Sequence, residues 1–173
     1  DFNIGIGFQA LTTDTLGSKS VAIGTAALSV QNFTTATDSF NVAVGHNAGA
    51  AVTTGVENTL IGGLSGDALT VGNYNVAVGY AALSAEDSHG RNVAVGYAAL
   101  IAQNAGEDAN NVAVGFEAGK SVTTGTQQTF IGALAGDALN TGDRNTAVGY
   151  AALGGETKGN RSTAVGWGTL AVA

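Results

Sequence analysis

The nonapeptide Asn75-Val-Ala-Val-Gly-Tyr-Ala-Ala-Leu83 occurs a second time, unchanged, at residues 92–100. Variants of it recur along the whole chain, so that ten units follow one another, and they begin at Asn3, Ser20, Asn41, Asn58, Asn75, Asn92, Asn111, Gln128, Asn145 and Ser162. The period is about 17 residues and is lengthened only by two insertions, and a fixed period of this kind indicates stacked structural units. We number positions from the first residue of each unit, and units from 1 to 10.

Positions one to five of a unit, Asn-Val-Ala-Val-Gly in the commonest form, are rich in β-branched residues and end on glycine. This pattern predicts a short strand closed by a turn, and two glycines in most units argue against a helix, where each costs about 1 kcal/mol relative to alanine. We expect a second short strand of the Ala-x-Ala-Leu type, followed by a positive-φ turn at a second glycine, namely Gly17, Gly55, Gly72, Gly125, Gly142 and Gly159.

Stacked in register, such units form an all-β fold, a parallel β-solenoid of about ten 17-residue coils and roughly 48 Å in length. Residues 41–100 align without gaps on 111–170, so four coils make one super-repeat, and the insertions at 31–40 and 101–110 fall at the same phase of it. We therefore predict a single β-roll repeat domain over 1–173. Because the chain opens at Asp1 rather than Met, we interpret it as a fragment of a longer fibre protein.

Composition excludes several classes of function. The sequence contains no Cys, which rules out disulfides, thiol nucleophiles and thiolate metal sites. The net charge is −7 and the six Lys and Arg residues are scattered, so no basic patch exists for nucleic acid. The longest nearly apolar run, residues 93–102, is about half the length of a membrane-spanning helix, so we expect no membrane insertion in this segment.

The chain also lacks the patterns of an enzyme or a cofactor protein. No motif brings a nucleophile, a base and an orienting acid together, and no glycine-rich stretch matches a phosphate-binding loop. The two histidines, His46 and His89, lie at different phases of the repeat and do not form a paired metal site, and the Gly-Asp pairs at 66–67 and 136–137 do not resemble calcium loops. We predict no enzymatic activity, no cofactor and no metal.

The strand of each unit is apolar on both faces. Positions two and four carry mostly Val and Ile, which we expect to fill the coil interior, but position three is apolar in all ten units as well. A strand that is apolar on both faces is normally buried on both. We therefore predict that position three points outward and is covered by sister copies of the chain around a trimer axis, formed by Ala22, Ala43, Leu60, Ala77, Ala94, Ala113, Phe130, Ala147 and Ala164.

Two further features are candidates for a ligand or receptor surface. Position six, after the anchor glycine, holds six of the eleven aromatic residues, which could form an exposed ladder or pack coil on coil or subunit on subunit. The insertions leave the regular coil as loops, which are either binding loops or spacers that cover a subunit junction. The candidate residues are Tyr80, Tyr97, Phe116, Tyr150, Trp167, Phe33, Asp38, Asn104, Glu107 and Asp108.

The residues Ser20-Val-Ala-Ile-Gly24 and the repeated NVAVGYAAL resemble the repeats of phage tail fibres and the coil motif of trimeric autotransporter adhesin heads, the left-handed β-roll of the YadA-like type. The resemblance covers residues 3–170 and implies a homotrimer. The coils of adhesin heads are typically shorter than the units of this chain, so the tail-fibre resemblance is placed first.

Three functions remain open at this point. The first is a structural segment of a trimeric virion fibre that mediates attachment to a cell-surface glycan or protein. The second is the head of a bacterial adhesin, and either would lie outside the cell, on a virion or a bacterial surface. The third is a ligand-binding solenoid for carbohydrate or ice that acts without trimerisation, although a regular outward Thr array is missing.

Overall fold

The computed structural model describes residues 2–171, in which twelve short strands and no helix occur. Ten strands form one parallel sheet in chain order: β1 (Ile4–Ile6), β3 (Val21–Ile23), β5 (Val42–Val44), β6 (Thr59–Ile61), β7 (Val76–Val78), β8 (Val93–Val95), β9 (Val112–Val114), β10 (Thr129–Ile131), β11 (Thr146–Val148) and β12 (Thr163–Val165). A second, two-stranded parallel sheet pairs β2 (Gly17–Ser18) with β4 (Thr37–Asp38). The prediction of an all-β parallel solenoid, with ten coils that keep the period of the sequence repeat, is confirmed.

Register in the long sheet keeps like positions of the repeat in line. In the pairing of β7 with β8, Val76 lies beside Val93 and Ala77 beside Ala94. The pairing of β8 with β9 keeps the same alignment although the 101–110 insertion lies between them. Each repeat position therefore forms a row along the rod, with neighbouring residues about 4.8 Å apart.

The segment after the anchor glycine is a series of turns, so the predicted second strand is wrong. In coil 5, Gly79 has a φ of +133°, a conformation that only glycine adopts readily, and Ala81 and Leu83 have φ of +52° and +54°. The alternation of left- and right-handed residues bends the chain around a narrow coil, which extended backbone cannot do. Its N–H groups bond to carbonyls of the neighbouring coils, as Leu83 N does to Ala99 O at 3.0 Å, so these turns also stack.

The coil interior is built from position three, not from positions two and four, so our prediction had reversed the two faces of the strand. All the residues predicted for the trimer axis are buried inside their own chain, at 0–2% exposure: Ala22, Ala43, Leu60, Ala77, Ala94, Ala113, Phe130, Ala147 and Ala164. They cannot line an axis between subunits. The Val and Ile residues at positions two and four point away from the coil instead.

Side-chain size at position nine explains this arrangement. Where position three is alanine, the interior is mostly filled by a leucine at position nine, such as the buried Leu83 in coil 5. Where position three is Leu60 or Phe130, position nine is Gly66 or Gly136, and a Cβ there would lie only 2.7 or 2.6 Å from the large side chain. Coils 3 and 7 have glycine at position nine as well, Gly49 and Gly119, where a Cβ would lie 2.7 or 2.9 Å from the large position-three side chain of the following coil. The narrow interior therefore has no room for a second large side chain at position nine beside Leu60 or Phe130.

The second glycine, present in six units, does not have positive φ, which corrects our expectation for it, and in four of the units it permits close approach to the next coil. Gly55, for example, is absent from the positive-φ conformations, and a Cβ on it would lie 2.5 Å from the carbonyl oxygen of Gly72 in the next coil. Adjacent coils are therefore in backbone contact at this corner.

The position-one amides form a ladder that joins the coils. Asn75 N donates to Oδ1 of Asn58 at 2.9 Å, and Asn58 Nδ2 donates to the carbonyl of Gly72 at 2.8 Å. Equivalent bonds start from Asn41 and Asn111, and all three of these amides are fully buried. These amides therefore link each coil to the next.

Removal of one rung is expected to destabilise the rod. Asn58→Ala leaves the buried N–H of Asn75 and the carbonyl of Gly72 without partners, at about 1–3 kcal/mol each. We expect the free energy of unfolding, measured by denaturant titration with circular dichroism, to fall by about 2–5 kcal/mol. The control Asn32→Ala, at an exposed asparagine, should change it by less than about 0.5 kcal/mol. Equal losses in the two variants would contradict a stabilising role of the ladder.

Candidate functional site

The outward side of the ten-stranded sheet is the most unusual surface of the chain, and we call it the outer sheet face. It consists of positions two and four of every strand: Ile4, Ile6, Val21, Ile23, Val42, Val44, Thr59, Ile61, Val76, Val78, Val93, Val95, Val112, Val114, Thr129, Ile131, Thr146, Val148, Thr163 and Val165. Sixteen of these twenty residues are Val or Ile, four are Thr, and none is charged. With ten strands in register, the face is about 43 Å long and only two side-chain rows wide.

Solvent reaches this face along its whole length in the single chain. Ile131 is 43% exposed and Ile61 is 38% exposed. Most of the other residues of this face are half-buried, because side chains of the adjacent strands cover part of each one. Monomeric proteins rarely present a continuous apolar surface larger than a few hundred Å². The strand therefore does have a second apolar side that is open to solvent, but it consists of valine and isoleucine at positions two and four instead of alanine at position three.

Aromatic rings at position six line one edge of the outer sheet face. Tyr80 stacks on Tyr97 with ring centroids 5.7 Å apart, and Tyr97 stacks on Phe116 at 5.3 Å. Tyr150 and Trp167 stack in the same way at 6.1 Å. These five predicted candidates are thus brought together in two stacks, one of three rings and one of two.

The rings both pack coil on coil and stay open to solvent. Interplanar angles of 10–14° place the ring faces against one another, so Tyr97 has both faces covered and presents mainly its edge to solvent, and each of the other four rings has one face covered. Tyr80, Tyr97, Phe116 and Tyr150 are about half exposed, and Trp167 at the end of the rod is 80% exposed. Sugar rings bind to free aromatic faces, so this stacking suits an edge contact with another protein surface better than a carbohydrate platform.

The opposite edge carries the residue that directly precedes each unit. It is exposed in these coils and includes four of the six basic residues of the chain, namely Lys19, Arg91, Arg144 and Arg161. Lys19 pairs with Asp38 at 2.6 Å, and Arg91 pairs with Asp108 at 3.2 Å. The outer sheet face is therefore an apolar strip with an aromatic edge and a mixed edge, which carries Phe2, Phe40, Glu57 and Tyr74 as well as these basic residues. Aromatic residues and arginine are enriched in protein interfaces.

The insertion residues do not form one common surface. Phe33 is 6% exposed, so its assignment to a receptor surface is wrong, and burial of its ring contributes to stability instead. Asp38, Asn104, Glu107 and Asp108 do not share this burial, and Asp38 and Asp108 are engaged in the ion pairs described above.

The described part of the chain, residues 2–171, contains no helix long and apolar enough to cross a membrane.

Sequence reasoning missed that the outer sheet face belongs to positions two and four, and it missed one turn at residues 86–89, where two carboxylates and a histidine come together. A signal for the first was side-chain size: the two units with a large residue at position three, Leu60 and Phe130, have glycine at position nine. A signal for the second was His89, which lies at a position where seven other coils have glycine.

No protein-family model matches the chain, and neither the curated proteins nor the solved structures searched contain a match to it.

Proposed function

We propose that this chain is a structural segment of a homotrimeric fibre, of the phage tail-fibre type, that serves attachment to a cell surface. The observation that carries the proposal is the outer sheet face, an uncharged strip that runs the length of the rod and is left open to solvent by the described residues of the single chain. Burial of such a strip is favourable by about 25 cal/mol for each Å² of apolar surface removed from water.

The occupant that fits this strip is another copy of the chain. A partner must present an apolar row of the same length and the same rung spacing of about 4.8 Å, and a second rod with the same repeat does so without any adjustment. When parallel copies surround an axis, the aromatic edge of one copy faces the mixed edge of the next, which includes Arg91, Arg144 and Arg161. Arginine and aromatic rings attract each other through cation–π contacts, which favours this pairing of edges.

Three copies suit the width of the strip. Each strand has only three residues, so each copy contributes a narrow apolar strip, and three such strips surround one common axis. A rod of this kind provides reach and stiffness, and three copies of any tip carried by the fibre multiply weak contacts with a surface. Placement on a virion or, as the alternative, on a bacterial cell follows from the resemblance of the repeats and is part of the proposal.

The mass of the assembly tests the proposal. We expect light scattering coupled to size exclusion to give three times the chain mass of 16.9 kDa, unchanged over a wide range of concentration. A dimeric mass would retain the outer sheet face as an interface but contradict the trimer. A stable monomer would contradict the fibre function, because the strip would then be exposed in solution.

A further inference from the structure

The turn at residues 86–90 differs from its equivalents in the other coils. Position fifteen of a unit is glycine in seven coils, and in six of them its carbonyl accepts the side-chain amide of position one, as Gly72 does from Asn58. In coil 5 this position is His89, whose carbonyl accepts the Nδ2 of Asn75 at 3.2 Å in the same way. The backbone bond does not need an imidazole, so the side chain of His89 is free for another role.

Beside this imidazole lies a fully buried carboxylate. Glu86 is 0% exposed, its Oε1 accepts the backbone N–H of His89 at 3.2 Å, and the same oxygen lies 3.6 Å from His89 Nδ1. The other oxygen, Oε2, is buried and has no hydrogen-bond partner. A buried carboxylate that lacks a partner is costly, and accordingly burial raises the pKa of Glu86.

Coil 1 shows how this position is satisfied by protein groups alone. There the equivalent residue is Asp14, whose Oδ2 accepts an amide N–H of Gln31 at 2.9 Å and one of Asn3 at 3.3 Å. In the second super-repeat the residue equivalent to Gln31 is Gln103, and its Nε2 has no partner. Glu86 therefore lacks the amide contact that its counterpart has.

A third ligand group completes the cluster. One oxygen of Asp87, one of Glu86 and a ring nitrogen of His89 all lie within 4.8 Å of one another. The hydroxyl of Ser88 donates to Asp87 Oδ1 at 2.8 Å and lies 3.2 Å from His89 Nδ1, so it holds these two groups together.

The turn is held rigidly by both neighbouring coils. Thr70, in the preceding coil, donates its N–H and its hydroxyl to the carbonyl of Asp87. Asp108, in the following coil, accepts the N–H of Gly90 at 3.0 Å. Because the backbone is fixed from both sides, little conformational entropy is lost when the three side chains converge on a ligand.

We propose that Glu86, Asp87 and His89 bind a divalent transition-metal ion such as Zn²⁺. Imidazole and carboxylate are ligands that Zn²⁺ uses, whereas Ca²⁺ and Mg²⁺ prefer oxygen alone. Ligand atoms around a tetrahedral zinc ion are about 3.3 Å apart, close to the 3.6 Å between Glu86 Oε1 and His89 Nδ1. The ion supplies the positive charge that the buried carboxylate lacks, and three ligands leave a position for water.

Calorimetric titration of the full chain with Zn²⁺, at neutral pH in a buffer that does not bind zinc, tests the proposal. We expect one ion per chain. His89→Gly installs the residue that other coils carry at this position. It should weaken Zn²⁺ binding at least tenfold, because loss of a metal ligand lowers metal affinity more than loss of a residue that only supports a ligand. The matched control His46→Gly replaces the other histidine with the residue that coil 4 has there, Gly63, and should leave binding unchanged.

A second variant separates binding from folding. Asp87 is exposed, so Asp87→Asn keeps the coil intact and should also weaken Zn²⁺ binding at least tenfold, while circular dichroism stays that of the parent chain. Absence of stoichiometric binding to the parent chain would overturn the proposal. Equal affinity of the parent chain, His89→Gly and Asp87→Asn would overturn it as well, because the ions would then bind elsewhere on an acidic surface. These outcomes do not depend on the assembly state.

Discussion

Leu60→Ala is expected to lower the free energy of unfolding by about 2–5 kcal/mol, and the addition of Gly66→Leu is expected to recover part of that loss. Leu60 is fully buried and its side chain occupies the space in front of Gly66, so truncation leaves a cavity in the coil interior. A leucine at residue 66 would fill part of that cavity, but its Cβ would also lie 2.9 Å from Cδ1 of Leu69, so the Leu69 side chain must shift and the recovery is incomplete. The φ of Gly66 is +53° and that of Leu83 is +54°, so leucine adopts this backbone conformation elsewhere in the rod.

Gly66→Leu alone should destabilise, because its Cβ would lie 2.7 Å from the intact Leu60 side chain. The coupling between the two substitutions, measured by denaturant unfolding of the four variants, should be favourable by about 0.5–3 kcal/mol. A control combines Leu60→Ala with Gly63→Leu, which adds the same volume at position six, outside the coil, and should recover nothing. An unchanged stability of Leu60→Ala would contradict the location of position three in the interior.

Much of the fold could be predicted because it follows from the repeat itself. Units of one length, each with a β-branched segment and a fixed glycine, specify strand, turn and stacking in each copy, and the parallel pairing of Val76–Val78 with Val93–Val95 repeats in every coil. The amide ladder was also predictable, since identical polar residues at one buried position must bond to one another or to the backbone.

The direction of each face could not be predicted from one strand alone. Alternation shows that Val76 and Val78 share a side opposite to Ala77, but both sides are apolar, so the strand itself does not distinguish them. The distinction lies at position nine of the unit, in the opposing wall of the coil. In coil 1, a Cβ at position three, on Gly5, would lie 3.9 Å from Cδ1 of Leu11 at position nine, so the two positions face each other across the interior. In the sequence this relation appears in the units with a large residue at position three, where Leu60 goes with Gly66 and Phe130 with Gly136.

The positive-φ turns were missed for a related reason. Ala81 and Leu83 have intrinsic preferences for helix or strand, and nothing local favours left-handed backbone for them. Hydrogen bonds to the coils above and below impose that conformation, as between Ala81 N and the carbonyl of Gly63. A contact between coils thus overrides the local preference, and a single unit read alone cannot reveal it.

Val78→Glu combined with Val95→Glu is expected to convert the assembly into monomers while each chain keeps its fold. The two residues lie side by side on the outer sheet face, at matching positions of adjacent strands. In the single chain they are only half-buried, so glutamate there stays hydrated and the coil interior is undisturbed. In a trimer six carboxylates would be desolvated around one axis without partners, at a cost of several kcal/mol each. Light scattering should therefore give the mass of one chain, with the circular dichroism of the parent.

Position and pH provide the controls for this variant. Thr54→Glu with Thr124→Glu adds the same charge at exposed turn residues and should leave the trimer mass unchanged. Below the ordinary pKa of glutamate, about 4.3, the added side chains become neutral, so the face variant should regain the trimer mass as the pH falls. Dissociation of both double variants would indicate a general effect of charge instead of contact through the outer sheet face. A face variant that keeps the trimer mass at neutral pH would show that the subunits meet through another surface, because no assembly closed over Val78 and Val95 could retain those charges.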